Sequence, residues 1–176
     1  RGNVVNPDDY VATMGADTVR AYLMFVGPWE QGGDWNDQGI AGINRWLNRV
    51  WRLVLDPPEG AVPTREEDEE EEGAHPRILR HVTHRTLQRV TEDLERFRFN
   101  TMLAAFMEFT NYLGKVKETP LFGTEAWLEA IHTLILMLAP ATPHMAEELW
   151  ERTGQSYSVH QQPWPAWDTT LAAEEE

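Results

Sequence analysis

Apolar residues recur along most of this chain at three- and four-residue intervals, and alternating apolar and polar runs are scarce. That is the period of helices with one buried face. The clearest stretch is Ile40, Ile43, Leu47, Val50 and Val54; Asn36 precedes it as an N-cap and Pro57-Pro58 follow as a stop, so it predicts a helix over 36–55. Upstream, Asp8 and Asp9 after Pro7 start a short helix ending near Gly15, and Asp17 caps another through Val19, Tyr22, Leu23 and Val26. Gly27 to Gly33 reads as a loop. Downstream, Leu79, Val82, Thr86, Val90, Leu94 and Phe97 predict a helix from Arg77 to about Arg98. Asn100 is the expected cap of the next, which runs to Gly114, and Thr124 opens another through Leu138. Thr142-Pro143 supplies an N-cap with proline at the first helical position of a last helix ending at Gly154.

Two segments lack this period. Residues 56–76 hold Pro, Gly and an acidic run, which reads as a flexible connector. Beyond Gly154, the alternating prolines and tryptophans of 163–167 predict an extended tail, with Trp164 and Trp167 packing back on the helices. The expected fold is therefore an all-α helical bundle with an extended C-terminal tail.

Charge changes this picture less than its total implies. The 176 residues carry a formal charge of −14, from 29 acids and 15 bases, which argues against a phosphate-bearing partner. Ten of the acids, however, lie in Glu66–Glu72 and Glu174–Glu176, and between Arg77 and Lys117 eight bases face four acids. There is no cysteine, which excludes disulfides and thiolate metal sites and fits a reducing compartment. The longest apolar stretch, 130–141, is broken by His132 and Pro140 and is too short to span a bilayer. A soluble, cytoplasmic, monomeric protein is expected.

Candidate chemistry is confined to cations. At about 100° per residue, Arg45, Arg49 and Arg52 share a stripe opposite the Ile40/Ile43/Leu47/Val50 face, with no acid among them. They form either a track of guanidinium forks for nucleic-acid phosphates or an ordinary solvated face. Arg85, Arg89 and Arg96 form a second stripe, but Glu92 lies among them and is expected to pair with Arg89 or Arg96. Lys115 and Lys117 are placed just past a helix C-terminus, where they favour the helix dipole and are further phosphate candidates. His81 and His84, with His75 nearby, lack a carboxylate or thiolate at ligand spacing, so no metal site is expected. No Ser/His/Asp or Cys/His set and no phosphate-cradling glycine loop is present; no complete active site is expected.

Several runs resemble one family. Arg1-Gly2-Asn3-Val4-Val5-Asn6-Pro7-Asp8, with Gly15-Ala16-Asp17-Thr18-Val19-Arg20, resembles the stretch following the KMSKS signature of class I aminoacyl-tRNA synthetases. Tyr22 to Glu30 is most similar to the leucyl enzymes. Leu138-Ala139-Pro140, Pro143 to Trp150, Ser158-Val159-His160 and Pro163-Trp164-Pro165 resemble the end of the anticodon-binding-type bundle. The resemblance spans nearly the whole chain except the acidic connector.

It implies a division into residues 1–35, the end of the catalytic and stem-contact region; 36–157, the bundle with its connector at 56–76; and 158–176, the tail. Arg1, Gly2 and Asn3 would trail the loop that contacts ATP, whose two lysines precede residue 1. The resemblance also implies that the complete enzyme joins leucine to tRNA(Leu) using ATP and Mg²⁺, with this fragment inactive and cofactor-free. Its partners would be tRNA(Leu) and the catalytic, editing and C-terminal domains of the same chain. Arg45, Arg49, Arg52, Arg85, Arg89, Lys115 and Lys117 would be the tRNA contacts. Asp17 and Arg20 resemble residues supporting the turn into the bundle, for which a local cap and ion pair suffice. The alternatives are an isoleucyl, valyl or methionyl enzyme, or a helical module whose acidic connector binds a basic protein.

Overall fold

The computed structural model describes residues 4–60 and 75–173, and every regular element among them is helical. In chain order these are α1 (Pro7–Met14), α2 (Ala16–Phe25), α3 (Asp37–Leu55), α4 (Pro76–Glu95), α5 (Phe99–Val116), α6 (Glu125–Leu138), α7 (Pro143–Arg152) and α8 (Thr169–Ala172), with a single 3-10 turn at Val159–Gln161 before α8. The acidic run Glu66–Glu72, the expected ATP-loop remnant Arg1 to Asn3 and the terminal glutamates lie outside the described residues.

Local caps and turns fix several of these helix starts. The Asn36 side chain accepts from the amides of Gln38 and Gly39 and caps α3. His75 Nδ1 accepts from the Arg77 amide and Pro76 fills the first position of α4. Gly15 alone separates α1 from α2; its φ of 86° and ψ of 156° are open essentially to glycine only.

The core centres on α5 and α6. Leu103, Phe106, Phe109, Leu113, Leu134 and Ile135 are all essentially inaccessible. α4 packs on both of these helices, α2 packs on α3 and α5, and α7 lies against α3 and α6. The α3 stripe points inward as expected: Ile40, Ile43, Leu47 and Val50 are buried. Trp46 joins them, its indole N–H donating to Thr110 Oγ1 at 3.0 Å inside the core. Truncating a side chain such as Leu103 or Phe106 to alanine in packing of this kind costs about 2–5 kcal/mol.

Four expectations need correction. α4 ends at Glu95, and Phe97 is 59% exposed with φ 57°; the Arg98 amide bonds to the Asp93 carbonyl and the Phe97 amide to that of Leu94, which turns the chain before Phe97 can join the stripe. That turn lets α5 start at Phe99, so Asn100 lies inside the first turn and does not cap it. α5 runs through Gly114 to Val116, because an isolated helical glycine costs only about 1 kcal/mol and buried Val116 repays it. The tail is not wholly extended: Asp168 accepts from the amides of Thr170 and Leu171 and starts α8, which packs along α4.

The tail is fastened as expected at Trp164, whose indole N–H donates to Thr91 Oγ1 at 2.9 Å, while Trp167 packs on the core. Two histidines add to this. His84 Nδ1 accepts from the Asp168 amide at 2.9 Å, leaving its other nitrogen to donate to Glu129 at 2.8 Å. His81 Nδ1 lies 2.7 Å from the Leu171 carbonyl, to which it donates. Both are tail clamps.

Candidate nucleic-acid interface

Arg45, Arg49 and Arg52 are all exposed on α3. Their backbone positions span seven residues, about 10 Å of helix at 1.5 Å per residue. Among the described residues none has a carboxylate within 4.0 Å. The acid at the start of α3 is engaged elsewhere: Asp37 accepts from Tyr10 at 2.5 Å and from the Trp35 indole at 3.0 Å, contacts that hold its carboxyl below the usual carboxylate range. Three guanidiniums on one rigid rod, with no carboxylate partner among the described residues, form an anion-facing surface.

The other predicted cations are placed differently. Arg89 donates to Glu108 of α5 at 2.6 Å, not to Glu92, which accepts from Gln88 at 3.1 Å. The nearest acid in space lies on the neighbouring helix, so spacing along α4 misidentified the partner. Arg85 is exposed on α4 and is not free of partners. Lys115 is exposed in the last turn of α5 rather than past its end.

Lys117 is buried at 7% exposure, and its Nζ donates to the Arg52 carbonyl at 2.9 Å. Desolvation pushes its ammonium below the ordinary lysine range, against the pull of Asp56, Glu118 and Glu59. It caps the C-terminal end of α3 and is withdrawn from solvent. Arg1, Gly2 and Asn3 lie outside the described residues. No cluster of three His, Cys, Asp or Glu suited to a metal occurs among the described residues, and none of their helices is long and apolar enough to cross a membrane.

Residues 76–176 match the family described as the anticodon-binding domain of tRNA ligase. The chain belongs to that family. It is 51% identical over 175 residues to leucine-tRNA ligases of Dehalococcoides mccartyi and of Herpetosiphon aurantiacus, covering 99% of this chain and 20% of each relative. A crystal structure of the LeuRS of Agrobacterium radiobacter K84, in a ternary complex with tRNA and LeuAMS, superposes with a TM-score of 0.75 at 32% identity. That match covers 98% of this chain and 22% of that one. This anticodon-binding domain thus spans about a fifth of the length of the relatives it matches.

Sequence spacing missed how this domain locks its last helices. Asp17 on α2 does not cap its own helix: its two carboxylate oxygens accept from the amides of His144 at 3.3 Å and Met145 at 2.7 Å, capping α7 from 127 residues away. One turn on, Arg20 donates to the carbonyls of Ala141 at 3.2 Å and Pro140 at 2.7 Å, just past the C-terminal end of α6. The acid serves a helix N-terminus and the base a C-terminus, each matched to its dipole, so no Asp17–Arg20 ion pair is needed. Thr142, the expected cap of α7, instead turns its hydroxyl back to the Leu138 carbonyl at 3.2 Å. The only sequence signal was the Asp-x-x-Arg spacing on one helix face.

Glu147 repeats the device in the tail, accepting from the Ser158 hydroxyl at 2.5 Å and the Val159 amide at 3.2 Å. His160 Nε2 donates to the Pro143 carbonyl at 3.1 Å and so ties the tail to the start of α7.

Proposed function

We propose that this chain is the tRNA-binding helical domain of a leucine-tRNA ligase, and that α3 carries its phosphate contacts. The observation that carries the reading is the set of three exposed arginines, Arg45, Arg49 and Arg52, opposite the buried face of α3 and without a carboxylate partner among the described residues. The names of the relatives support the substrate, and the tRNA in the LeuRS complex supports the partner. Exposed Lys115 and Arg85 are secondary contacts; Arg89 contributes only by releasing Glu108, and Lys117 does not contribute.

In this reading the complete enzyme uses ATP and Mg²⁺ in the cytoplasm to form leucyl-adenylate, then transfers leucine to the terminal adenosine of tRNA(Leu). Residues 1–35 end the catalytic region, 36–157 form the bundle and 158–176 the tail, in a monomer. Arg1, Gly2 and Asn3 belong to the ATP loop. The part of α3 is to bind and orient the tRNA body electrostatically, through its exposed arginines.

The test is Arg45→Gln/Arg49→Gln/Arg52→Gln in the full-length ligase. Leucine-dependent pyrophosphate exchange without tRNA should persist while tRNA(Leu) affinity falls. The log-log salt slope of binding should flatten by about two units, given roughly 0.7–0.9 per phosphate contact. Unchanged affinity and slope in a folded variant would sink the assignment of α3.

A further inference from the structure

At the α4–α5 turn the chain carries a residue that packing does not explain. The C-terminus of α4 closes in a Schellman motif, with the Arg98 amide on the Asp93 carbonyl at 2.8 Å and the Phe97 amide on the Leu94 carbonyl at 3.3 Å. The left-handed position of such a motif usually holds glycine, because a Cβ there is disfavoured by about 1 kcal/mol. Here it holds Phe97 at φ 57°, with its ring 59% exposed. The turn therefore incurs backbone strain and presents an aromatic ring to solvent.

That ring is not alone. Its centroid is 5.3 Å from Phe99, which is buried, and Phe99 meets Trp29 edge-on at 5.1 Å. Trp29, 54% exposed, comes from the loop between α2 and α3. Phe99 thus anchors two exposed rings brought together from distant parts of the sequence. On either side of Phe97, Arg96 and Arg98 are exposed, and among the described residues neither has a carboxylate within 4.0 Å.

We infer that Phe97 and Trp29 form a stacking platform for an unstacked base of the bound RNA, with Arg96 and Arg98 holding the flanking phosphates. Exposed aromatic faces interleaved with exposed guanidiniums match single-stranded nucleic acid: every base has a face to stack, and each guanidinium fork suits a phosphate. A protein partner would find two rings ringed by desolvated, unmatched cations. Glu30 and Glu95 adjoin the patch in sequence, so its net charge is small and its grip comes chiefly from stacking.

The inference rests on the tRNA-binding reading above, and Phe97→Gly separates the two. Glycine relieves the left-handed position while removing the ring, so the 176-residue chain should melt no lower than the parent. In the full-length ligase, affinity for a tRNA(Leu) transcript should nevertheless fall about five- to a hundred-fold, the worth of one stacked base, at unchanged salt slope. Phe97→Tyr should restore affinity. Arg96→Gln/Arg98→Gln should instead flatten the salt slope by up to roughly two units. If Phe97→Gly leaves affinity intact while the α3 triple variant weakens it, the platform is wrong and the α3 assignment stands. If neither variant changes affinity, both are wrong. Loss of tRNA-free leucine activation on Phe97→Gly would show the patch docking another part of the ligase and would also overturn the inference.

Discussion

α3 and α4 are both long amphipathic helices with arginines on their outer faces, yet the two sets of guanidiniums are in opposite states. On α4, Arg80 is paired with Glu129 at 3.0 Å and Arg89 with Glu108 at 2.6 Å. On α3, Arg45, Arg49 and Arg52 have no carboxylate within reach among the described residues. The cause lies in the neighbours. α4 runs between α5 and α6, which bring Glu108 and Glu129 to its flanks, whereas Arg45, Arg49 and Arg52 on the outer face of α3 are exposed and meet no carboxylate of another helix among the described residues. A stripe of arginines becomes an anion site only where the fold withholds counter-charges.

The contrast is easiest to break on α3 itself. Changing its three arginines to glutamine should reduce tRNA affinity by tenfold or more in moderate salt, on the order of two lost phosphate contacts, with an unchanged melting curve. Equal losses from Arg80→Gln/Arg89→Gln would erase the distinction between the helices.

Lys117→Met sharpens it next. This cation is protein-held, so its loss should destabilise the chain by about 1–3 kcal/mol in urea unfolding, the worth of a charge-assisted hydrogen bond to the Arg52 carbonyl that the Asp56 amide also fills, without altering the salt slope of RNA binding. A changed slope with unchanged stability would place its ammonium among the phosphate contacts instead.

Arg89→Gln should have a smaller effect. Arg89 and Glu108 are both substantially solvated, so breaking the pair should change stability by no more than about 1 kcal/mol and leave tRNA affinity within twofold. A large loss of tRNA affinity would make Arg89 a direct phosphate contact rather than a protein-paired cation.

The smallest effect is a pH dependence. Desolvation lowers the folded-state pKa of His132, which packs on Trp150 at 4.8 Å, below the ordinary 6.5. Below pH 6.5 the unfolded chain takes up this proton before the folded one does, so stability is full above that pH and declines as pH falls through it. His132→Gln should flatten this decline in melts between pH 7.5 and 5.5. An unaltered pH profile would mean that His132 carries its proton equally in both states.

Much of the fold was legible in the chain. Ile40, Ile43, Leu47 and Val50 announced the inner face of α3, Asn36 its start and Pro57-Pro58 its end, because helical period, side-chain capping and the missing proline N–H are properties of a few consecutive residues. The arginine stripe was legible for the same reason: it follows from 3.6 residues per turn once the buried face is known. Family membership was equally a property of the sequence.

What only the tertiary structure decided was the partner of each polar group. Asp17 caps α7 rather than α2, Thr142 turns back to α6, Lys117 closes α3, Arg89 chooses Glu108 over Glu92, and Phe97 leaves the heptad stripe for solvent. Each of these choices is a competition between a near group in sequence and a group brought close by packing. Hydrogen bonds and ion pairs act over a few ångströms of space, so separation along the chain, 127 residues for Asp17 and His144, does not enter the outcome.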